Sequence, residues 1–428
     1  MKWRMRYLTM FVSALLLVTL SFVLWTSNQK KILRIGVYAG SSWDVPNSRE
    51  NRVLDNIIHQ FEKSHSNVKV VYESGIPKKD YDNWLAEKIL KGEQPDVFMV
   101  PENDFSMLAS SGAFKSLDSL ISKEEAAAYY PVAYQAGQYQ GRSYALPIES
   151  NPVMMCVNKD LLEKEGISIP DSNWTLEDLY AICQKVTKDT DGDGLIDQYG
   201  ITDYTWKQAL VAYNGHLKNQ NGVNIDSVEM HQALSFISKL DSLNQRYKVT
   251  SNDFDEGKVA FYPMSLAQYR TYKPYPYHVA KYSRFSWTCI PMPAAKARIP
   301  ATQVKTSLFA MSSKTKQDKL AWEFMKLLCQ NQKNQQELFA KSQGTSVLTS
   351  VVKSSQTKKI LQADDLGLDS LTSQRLDHMM KHSVLDISRD LDYHSLERLD
   401  YLLGNALKNN EIDSILPSIQ REMEETGK

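Results

Sequence analysis

One short segment, residues 189–197, spaces its acidic side chains in a way suited to binding a metal ion. It reads Asp-Thr-Asp-Gly-Asp-Gly-Leu-Ile-Asp, so carboxylates recur at alternate positions and the glycines allow sharp turns between them. Hard cations such as Ca²⁺ bind about six to eight oxygen atoms, mostly from carboxylates and main-chain carbonyls. We therefore predict a structural Ca²⁺ site with the ligands Asp189, Asp191, Asp193, Leu195 and Asp197.

This pattern covers only the first part of an EF-hand calcium loop. Its twelfth position is Gly200, where a complete EF-hand carries a bidentate glutamate. The same residues also fit a turn whose carboxylates accept hydrogen bonds from the segment's own N–H groups. Three carboxylates at alternate positions repel one another without a counter-ion, which favours the metal site over the turn.

The second set of chemically suited residues combines aromatic rings with carboxylates and amides. The chain contains 22 Tyr and 8 Trp, and residues 262–287 are especially rich in rings. An aromatic ring offers an apolar face, and nearby polar groups pair with buried hydroxyls, which together suit a sugar. Each such residue could instead fill the core, cap a helix or lie in a solvated loop. The candidate ligand-binding residues are Trp43, Asp44, Glu102, Asn103, Asp104, Glu149, Asn151, Trp206, Tyr262, Tyr269 and Trp287.

Other kinds of site have no support in the sequence. Neither G-x-S-x-G nor the phosphate loop G-x-x-x-x-G-K-[ST] occurs, so we expect no enzyme of those classes and no organic cofactor. Basic and acidic residues number 50 each and no basic run occurs, so we expect no nucleic-acid binding. The four cysteines lie in apolar runs without a CxxC, which predicts buried free thiols and leaves one disulfide open.

The elements that position these residues alternate between strands and helices at the start of the chain. Apolar periodicity predicts strands at 31–38, 68–72 and 95–100, with helices at 50–64 and 81–90. Such an order indicates a parallel sheet with right-handed crossovers. Ligands of these sheets bind at the loops after the strand carboxyl ends, here 39–47 and 101–104.

Several short motifs occur in a fixed order from residue 32 to about residue 350. Together they resemble family 1 extracellular solute-binding proteins, the capture subunits of ABC sugar importers. The segments that carry the resemblance are 92–97, 108–118, 137–147, 154–162, 173–179, 254–261, 287–293 and 321–328.

The resemblance implies an α/β, two-lobe periplasmic-binding-protein-like fold, each lobe a mostly parallel sheet flanked by helices, with a ligand cleft between the lobes. The first lobe would comprise 32–146 plus 264–310, and the second 147–263 plus 311–428. The implied function is capture of a carbohydrate, an oligosaccharide, for ABC-transporter import, without catalysis. Its partners would be the sugar and the ABC permease subunits, and the protein would be a monomer.

Residues 1–30 predict an export signal. Lys2, Arg4 and Arg6 precede Tyr7–Trp25, a stretch of 19 residues without charge. No cysteine follows for lipid attachment and the best cleavage site, at 19–21, is poor. We therefore expect the protein on the extracytoplasmic face of the membrane, tethered only by this uncleaved helix, with secretion after signal cleavage as the alternative.

Two other functions stay open, and the tether favours the first of them. One is a membrane-tethered sugar sensor that feeds a signalling receptor, and the other is an extracellular carbohydrate-active enzyme. The spacing of two catalytic carboxylates in space, which a sequence does not give, would identify the enzyme.

Overall fold

The computed structural model of the protein describes residues 30–43, 50–101, 103–245, 247–272, 285–297, 299–364 and 370–426. The predicted signal anchor, Asp44, Glu102 and most of the ring-rich stretch at 273–284 lie outside these residues. Within the described ranges, no helix has both the length and the apolar character needed to cross a membrane.

The described residues form mixed α/β structure. The strands are β1 (Lys31–Gly36), β2 (Val68–Tyr72), β3 (Val97–Val100), β4 (Gln138–Tyr139), β5 (Arg142–Ser143), β6 (Ala145–Asn158), β7 (Tyr199–Ile201), β8 (Lys218–Asn219), β9 (Gly222–Val223), β10 (Val259–Ser265), β11 (Trp287–Ile290), β12 (Thr302–Met311), β13 (Thr345–Ser346) and β14 (Ser383–Leu385). The helices are α1 (Glu50–Ser64), α2 (Lys78–Leu90), α3 (Phe105–Ser110), α4 (Lys123–Ala127), α5 (Pro131–Ala136), α6 (Lys159–Lys164), α7 (Leu176–Val186), α8 (Trp206–Ala212), α9 (Val228–Leu243), α10 (Ser251–Asp255), α11 (Leu266–Tyr272), α12 (Asp318–Cys329), α13 (Gln332–Lys341), α14 (Thr349–Val352), α15 (Ser355–Asp364), α16 (Ser373–Lys381), α17 (Tyr393–Asn409) and α18 (Ile412–Thr426).

The first lobe is built on the predicted parallel sheet. Strand β1 pairs in parallel with β2 and with β3, and β12 pairs antiparallel with β3 on the other side. Helix α1 buries Val53, Ile57 and Phe61 from its inner face against this sheet. Because β1, β2 and β3 run in the same direction, their carboxyl ends lie at one edge of the first lobe.

Strand β6 passes from the first lobe into the second. Its early residues pair with β12, and Met155, Cys156 and Val157 pair with β10 and β11. Pro147 lies inside this strand and does not end it. The register of β6 and β12 shifts between Ser307 and Leu308, opposite Pro147. A bulge at this point accommodates a residue that lacks an N–H donor.

The second lobe uses a mixed sheet. Strand β10 pairs in parallel with β7 but antiparallel with β6, and β11 also pairs antiparallel with β6. The two-lobe α/β architecture predicted from the sequence is confirmed, with antiparallel pairing contributed by the strands that cross between the lobes.

Two clusters of buried apolar side chains correspond to two cores. Phe324 of α12 packs against Phe61 of α1, with ring centroids 5.3 Å apart, so α12 belongs to the first core. The sequence had placed all of 311–428 in the second lobe. Likewise β11, placed in the first lobe from the sequence, pairs with the second-lobe half of β6. Sequence resemblance does not show to which lobe these late segments belong, because only their packing shows which core they join.

Candidate functional site

Loops from three parallel strands meet at the carboxyl edge of the first sheet. The N–H group of Ala39 donates a 2.7 Å hydrogen bond to the carbonyl of Ile76, which joins the loops after β1 and β2. The ammonium group of Lys78 donates to the carbonyl of Ser42 at 2.9 Å. Trp43 follows directly and is half-buried. This is the edge at which an α/β sheet binds its ligand.

Glu149, on β6, lies directly behind Trp43. The indole Nε1 of Trp43 donates to Oε2 of Glu149 at 2.9 Å. The N–H group of Gly344 donates to Oε1 at 2.9 Å, and the hydroxyl of Ser342 donates to the same oxygen. A Cβ atom on Gly344 would come within 2.6 Å of the Glu149 carboxyl carbon. Glycine therefore allows this main chain to approach the carboxylate.

Glu149 is 2% exposed, and its surroundings act on the pKa of its carboxyl group in opposite directions. Burial raises its pKa to about 7, although hydrogen bonds from Ser342, Gly344 and Trp43 and the positive charge of Arg270 act to lower it. Arg270 is also buried and donates to the carbonyl of Gly344 at 2.8 Å. A group that changes charge near neutral pH therefore contacts a predicted ligand residue.

Three carboxylates meet where the first lobe faces the C-terminal helices. Asp104 is half-buried just before α3, and burial together with the negative charge of Asp392 raises its pKa. Asp82 is exposed to solvent, but protein atoms lie around part of its carboxyl group. This partial burial raises its pKa to about 6, and the negative charge of Asp104 contributes further. Asp392 caps α17 by accepting from the N–H group of Ser395 at 3.0 Å. Their mutual repulsion suits a ligand that donates hydrogen bonds.

Sequence reasoning missed Asp82 and Asp392. The available signal for Asp82 was its place in the second turn of a helix that follows a parallel strand. Asn103, which was predicted, is half-buried beside Asp104 at the same edge. Arg389 also reaches this region, donating to the carbonyl of Ala136 at 3.2 Å.

In the second lobe, Asp203 lies at the corresponding edge, just after β7. Its backbone φ angle is 54°, a conformation that residues other than glycine adopt rarely. Asp203 is exposed to solvent, but protein atoms lie around part of its carboxyl group, and this partial burial raises its pKa. It is another residue that the sequence reading missed, and its signal was a polar residue immediately after a short apolar strand.

Trp206 is part of the second core. It is 5% exposed, and its Nε1 donates to Oδ1 of Asp400 at 2.8 Å. Lys207 donates to the other oxygen of Asp400 at 2.6 Å. The sequence suggested a ligand contact for Trp206, whereas its contacts in the structure fasten α8 to α17.

The predicted ring platforms at 262–287 are core residues. Tyr262, Tyr269 and Trp287 are 7%, 1% and 6% exposed. The ring of Trp287 packs against Tyr269 at 5.3 Å and Phe254 at 6.2 Å, and Tyr262 packs against Phe254 at 5.3 Å. Burial of apolar ring area in this cluster explains why the segment is so aromatic.

Asn151 also has a structural contact. Its side chain is buried on β6, and Oδ1 accepts from the N–H group of Ala267 at 2.9 Å. This bond fixes the first turn of α11 to the strand that joins the lobes.

The acidic loop brings three of its predicted ligands together. Asp189, Asp191 and Asp193 each offer a carboxylate oxygen, and these atoms lie within 4.8 Å of one another. An all-oxygen set of this kind fits a hard cation such as Ca²⁺. Asp197 instead accepts from the N–H group and hydroxyl of Thr190, at 2.9 and 2.7 Å. Leu195 is exposed, and its N–H group donates to Asp193 at 2.8 Å.

The same loop shows the self-capping bonds of the alternative turn. Asp189 accepts from the N–H groups of Gly194 and Gly192, at 2.7 and 2.6 Å, and these bonds lower its pKa. The glycines have positive φ angles of 82° and 88°. The loop is therefore folded by its own hydrogen bonds with three carboxylates still grouped.

Several solved structures of other proteins superpose on this chain over most of its length. Among solved structures, the sugar-binding protein MalE from Xanthomonas citri superposes with a TM-score of 0.74 at 16% identity, covering 92% of this chain and 97% of that one. The cyclic alpha-maltosyl-1,6-maltose binding protein from Arthrobacter globiformis gives a TM-score of 0.71 at 14% identity, covering 92% and 98%. An ABC substrate-binding protein from Listeria monocytogenes in complex with cycloalternan gives 0.65 at 18% identity, covering 93% and 99%.

Sequence similarity is more local. A maltotriose-binding protein from Pyrococcus abyssi is 25% identical over 138 residues, which are 32% of this chain and 30% of that relative's length. The family model of the bacterial extracellular solute-binding proteins matches residues 56–364, more than half of the 428 residues. The chain therefore belongs to the family of bacterial extracellular solute-binding proteins.

Proposed function

We propose that this protein captures an oligosaccharide between its two lobes and presents it to an ABC permease for import. The observation that carries the proposal is the first-lobe edge, where half-buried Trp43 lies at the same strand ends as Asp82 and Asp104. Asp392, next to α17 of the second core, faces Asp104 from the other side. A ring face with several acceptors is the combination that binds a hydroxyl-rich ring.

Capture would proceed by closure of the lobes. A ligand that contacts Asp104 on one side and Asp203 or Asp392 on the other binds the closed state better than the open state, so it shifts the population toward closure. Such a protein holds its ligand and performs no reaction on it.

The names of similar proteins support a saccharide of more than one ring. The names of three of these proteins include maltotriose, cycloalternan and cyclic alpha-maltosyl-1,6-maltose as the ligands. We propose the same class, an oligosaccharide, for this chain.

The family is extracellular, so the binding lobes lie outside the cytoplasm. We propose further that Tyr7–Trp25 tethers them to the membrane, because this stretch carries no charge and no lipidation cysteine follows it. The same tether supports a second function, a sugar sensor for a signalling receptor. Depletion of a neighbouring permease should abolish sugar uptake for an importer and leave a transcriptional response intact for a sensor.

We also propose that Asp189, Asp191 and Asp193 hold a structural Ca²⁺ ion that stabilises the loop before β7. Because its bonds lie in a loop of the second lobe, this ion would support folding and take no part in ligand chemistry.

A thermal-shift screen over a panel of oligosaccharides, monosaccharides and amino acids tests the function. We expect stabilisation by at least one oligosaccharide, by mass action, and no cleavage products after long incubation with it. Stabilisation of the protein by amino acids alone would reject the proposal. Cleavage of a saccharide by the pure protein would also reject it. Sedimentation with the best ligand would test the expected monomer.

A further inference from the structure

We propose that Glu149 is a positioning residue whose carboxylate holds the indole of Trp43 in its ligand-binding orientation and links that orientation to β6, the strand that crosses between the lobes. The inference rests on the proposed function only in taking Trp43 as a sugar contact.

The hydrogen bonds of Glu149 are divided between its two oxygens. Oε2 accepts from the indole of Trp43, while Oε1 accepts from Ser342 and Gly344. With one oxygen fixed by the 342–344 segment, the plane of the carboxylate is fixed, and so is the direction from which the indole must approach. A buried acceptor of this kind cannot be replaced by bulk water.

The residues around Glu149 come from the crossing strand β6 and from segments packed beside it. Glu149 itself lies on the crossing strand β6, and Ser346 of β13 pairs with it in the sheet. Arg270 lies on α11, which directly follows β10, and it bonds to the carbonyl of Gly344. A shift of β6 relative to these segments would therefore move the acceptor of the Trp43 indole.

The protein contains a matched pair that lacks these features. The indole of Trp84 donates to Oε2 of Glu73 at 3.1 Å, but Glu73 is exposed. Water can take the place of Glu73, so its carboxylate does not determine where the ring of Trp84 lies. The chemistry of the two pairs is the same, and burial distinguishes them.

Protonation of Glu149 would weaken the arrangement. The ionised carboxylate only accepts hydrogen bonds, which matches its three donors, while the acid carries an O–H donor that competes with them. Among described residues, Arg270 is a charged group that acts on Glu149. The adjoining cavity of about 60 Å³ has apolar walls, including Val37, Ile57 and Phe309. Trp43 should therefore be held most firmly above the pKa of Glu149, which is about 7.

The test begins with ligand-free, full-length protein carrying ¹⁵N-labelled indole groups. Trp43→Phe identifies the Trp43 resonance and Trp84→Phe that of Trp84. We expect the Trp43 resonance to titrate with a midpoint near 7 in the wild type and to lose this titration in Glu149→Gln. The Trp84 resonance should not follow that midpoint, and Glu73→Gln should leave the Trp43 titration unchanged. A Trp43 resonance that Glu149→Gln leaves unaltered, both in its position and in its response to pH, would overturn the inference.

A second variant covers the case in which Glu149→Gln does not fold. Ser342→Ala removes a donor that stabilises the carboxylate, so the midpoint of the Trp43 titration should move to higher pH. An unchanged midpoint would contradict the assigned hydrogen bonds.

The ligand arm uses the oligosaccharide that gives the largest thermal shift. We expect wild-type affinity to rise on the order of fivefold between about pH 6 and pH 8, the difference between a neutral and a charge-assisted hydrogen bond. The affinity of Glu149→Gln should be lower and independent of pH, and adding Trp43→Phe should cause little further loss. Fully additive losses would overturn the positioning role. If no saccharide binds, the proposed function fails, while the indole titration still decides whether Glu149 positions Trp43.

Discussion

The indole Nε1 of Trp206 lies 2.8 Å from Oδ1 of Asp400, which bonds the first turn of α8 to the middle of α17. Asp400 also accepts from Lys207, so one carboxylate fastens two residues of α8. This contact explains why a tryptophan that the sequence suggested for ligand binding is buried.

The first prediction concerns this contact. Trp206→Phe removes the N–H donor and should lower the free energy of unfolding by roughly 1–2 kcal/mol, because the lost bond is to a charged but partly exposed group. Urea unfolding followed by circular dichroism measures the change. Tyr401→Phe, on the exposed side of α17, is the matched control and should be neutral. A drop in sugar affinity without a drop in stability would show that Trp206 contacts ligand after all.

The second prediction separates a ligand residue from a core residue. Trp43→Ala should weaken saccharide binding by about 1–3 kcal/mol, the value of a lost aromatic contact and its buried area. Trp287→Ala should instead cost about 3–5 kcal/mol of folding stability, because it empties a packed site between Tyr269 and Phe254. Calorimetry and urea unfolding of both variants make the comparison. Equal stability losses would place both rings in the core.

The third prediction concerns the acidic loop. Added Ca²⁺ should raise the melting temperature of chelator-treated protein. At a Ca²⁺ concentration one hundred times the dissociation constant, the folded state should gain about 2.7 kcal/mol of stability. Asp191→Asn removes one of the three grouped carboxylates and should abolish most of the effect. Glu163→Gln, an exposed acid of the same lobe, should leave it unchanged. The same melting temperature with and without Ca²⁺ would support the self-capped turn.

The fourth prediction concerns pH. His231 bonds to Asp226 through Nε2 at 2.8 Å and to Asp413 through Nδ1 at 2.9 Å. Burial acts to lower its pKa, but these two carboxylates outweigh it and raise the pKa. The protonated ring therefore stabilises the fold fully below its unfolded pKa of about 6.5, and this contribution is lost as pH rises through the higher folded value.

Unfolding midpoints in urea between about pH 5 and pH 9 check this sign. The stability difference between wild type and His231→Gln should be largest at the acidic end and shrink as the pH rises. A difference that grows with pH would mean that the neutral ring is the stabilising form.

The fifth prediction concerns the cysteines, which are all buried and free. Cys156 and Cys289 are partners across β6 and β11, and their Sγ atoms are 3.6 Å apart. Oxidation should therefore yield a single cross-link between these two residues, seen by mass spectrometry of unreduced peptides. A cross-link to Cys183 or Cys329 would contradict the observed pairing of strands. Burial, which raises the pKa of Cys156, should make the reaction slow.

Local elements were predictable where one physical signal dominated. Helix α1 occupies the predicted residues 50–64 because its apolar side chains recur at helical spacing. Residues 318–341 form two helices, α12 and α13, and not one continuous helix. The side chain of Asn331 accepts from the N–H group of Asn334 at 3.0 Å and starts a new helix there. Such local capping competes with continuation of a helix, and periodicity does not reveal it.

The candidate site was only partly predictable. Trp43 and Asp104 were chosen as candidates because the loops that follow strands are visible in a sequence. Glu149 was also chosen, although it lies inside β6 and not after a strand. Their partners were not, since Ser342 lies 193 residues from Glu149 along the chain. The aromatic residues misled for a related reason, because a ring that packs in a core and a ring that stacks on a sugar have the same composition.

Strand β6 has 14 residues: Ala145 and Leu146 near its start belong to the first hydrophobic cluster, and Met155 and Val157 near its end belong to the second. Neither lobe therefore possesses a complete core without a piece of the same strand. Expression of either half alone should give unfolded or aggregating material, because a sheet would be left with an unpaired edge. The whole chain should accordingly melt in one transition, and a nick within β6 should inactivate both halves, whereas a nick in the exposed β8–β9 turn should be tolerated.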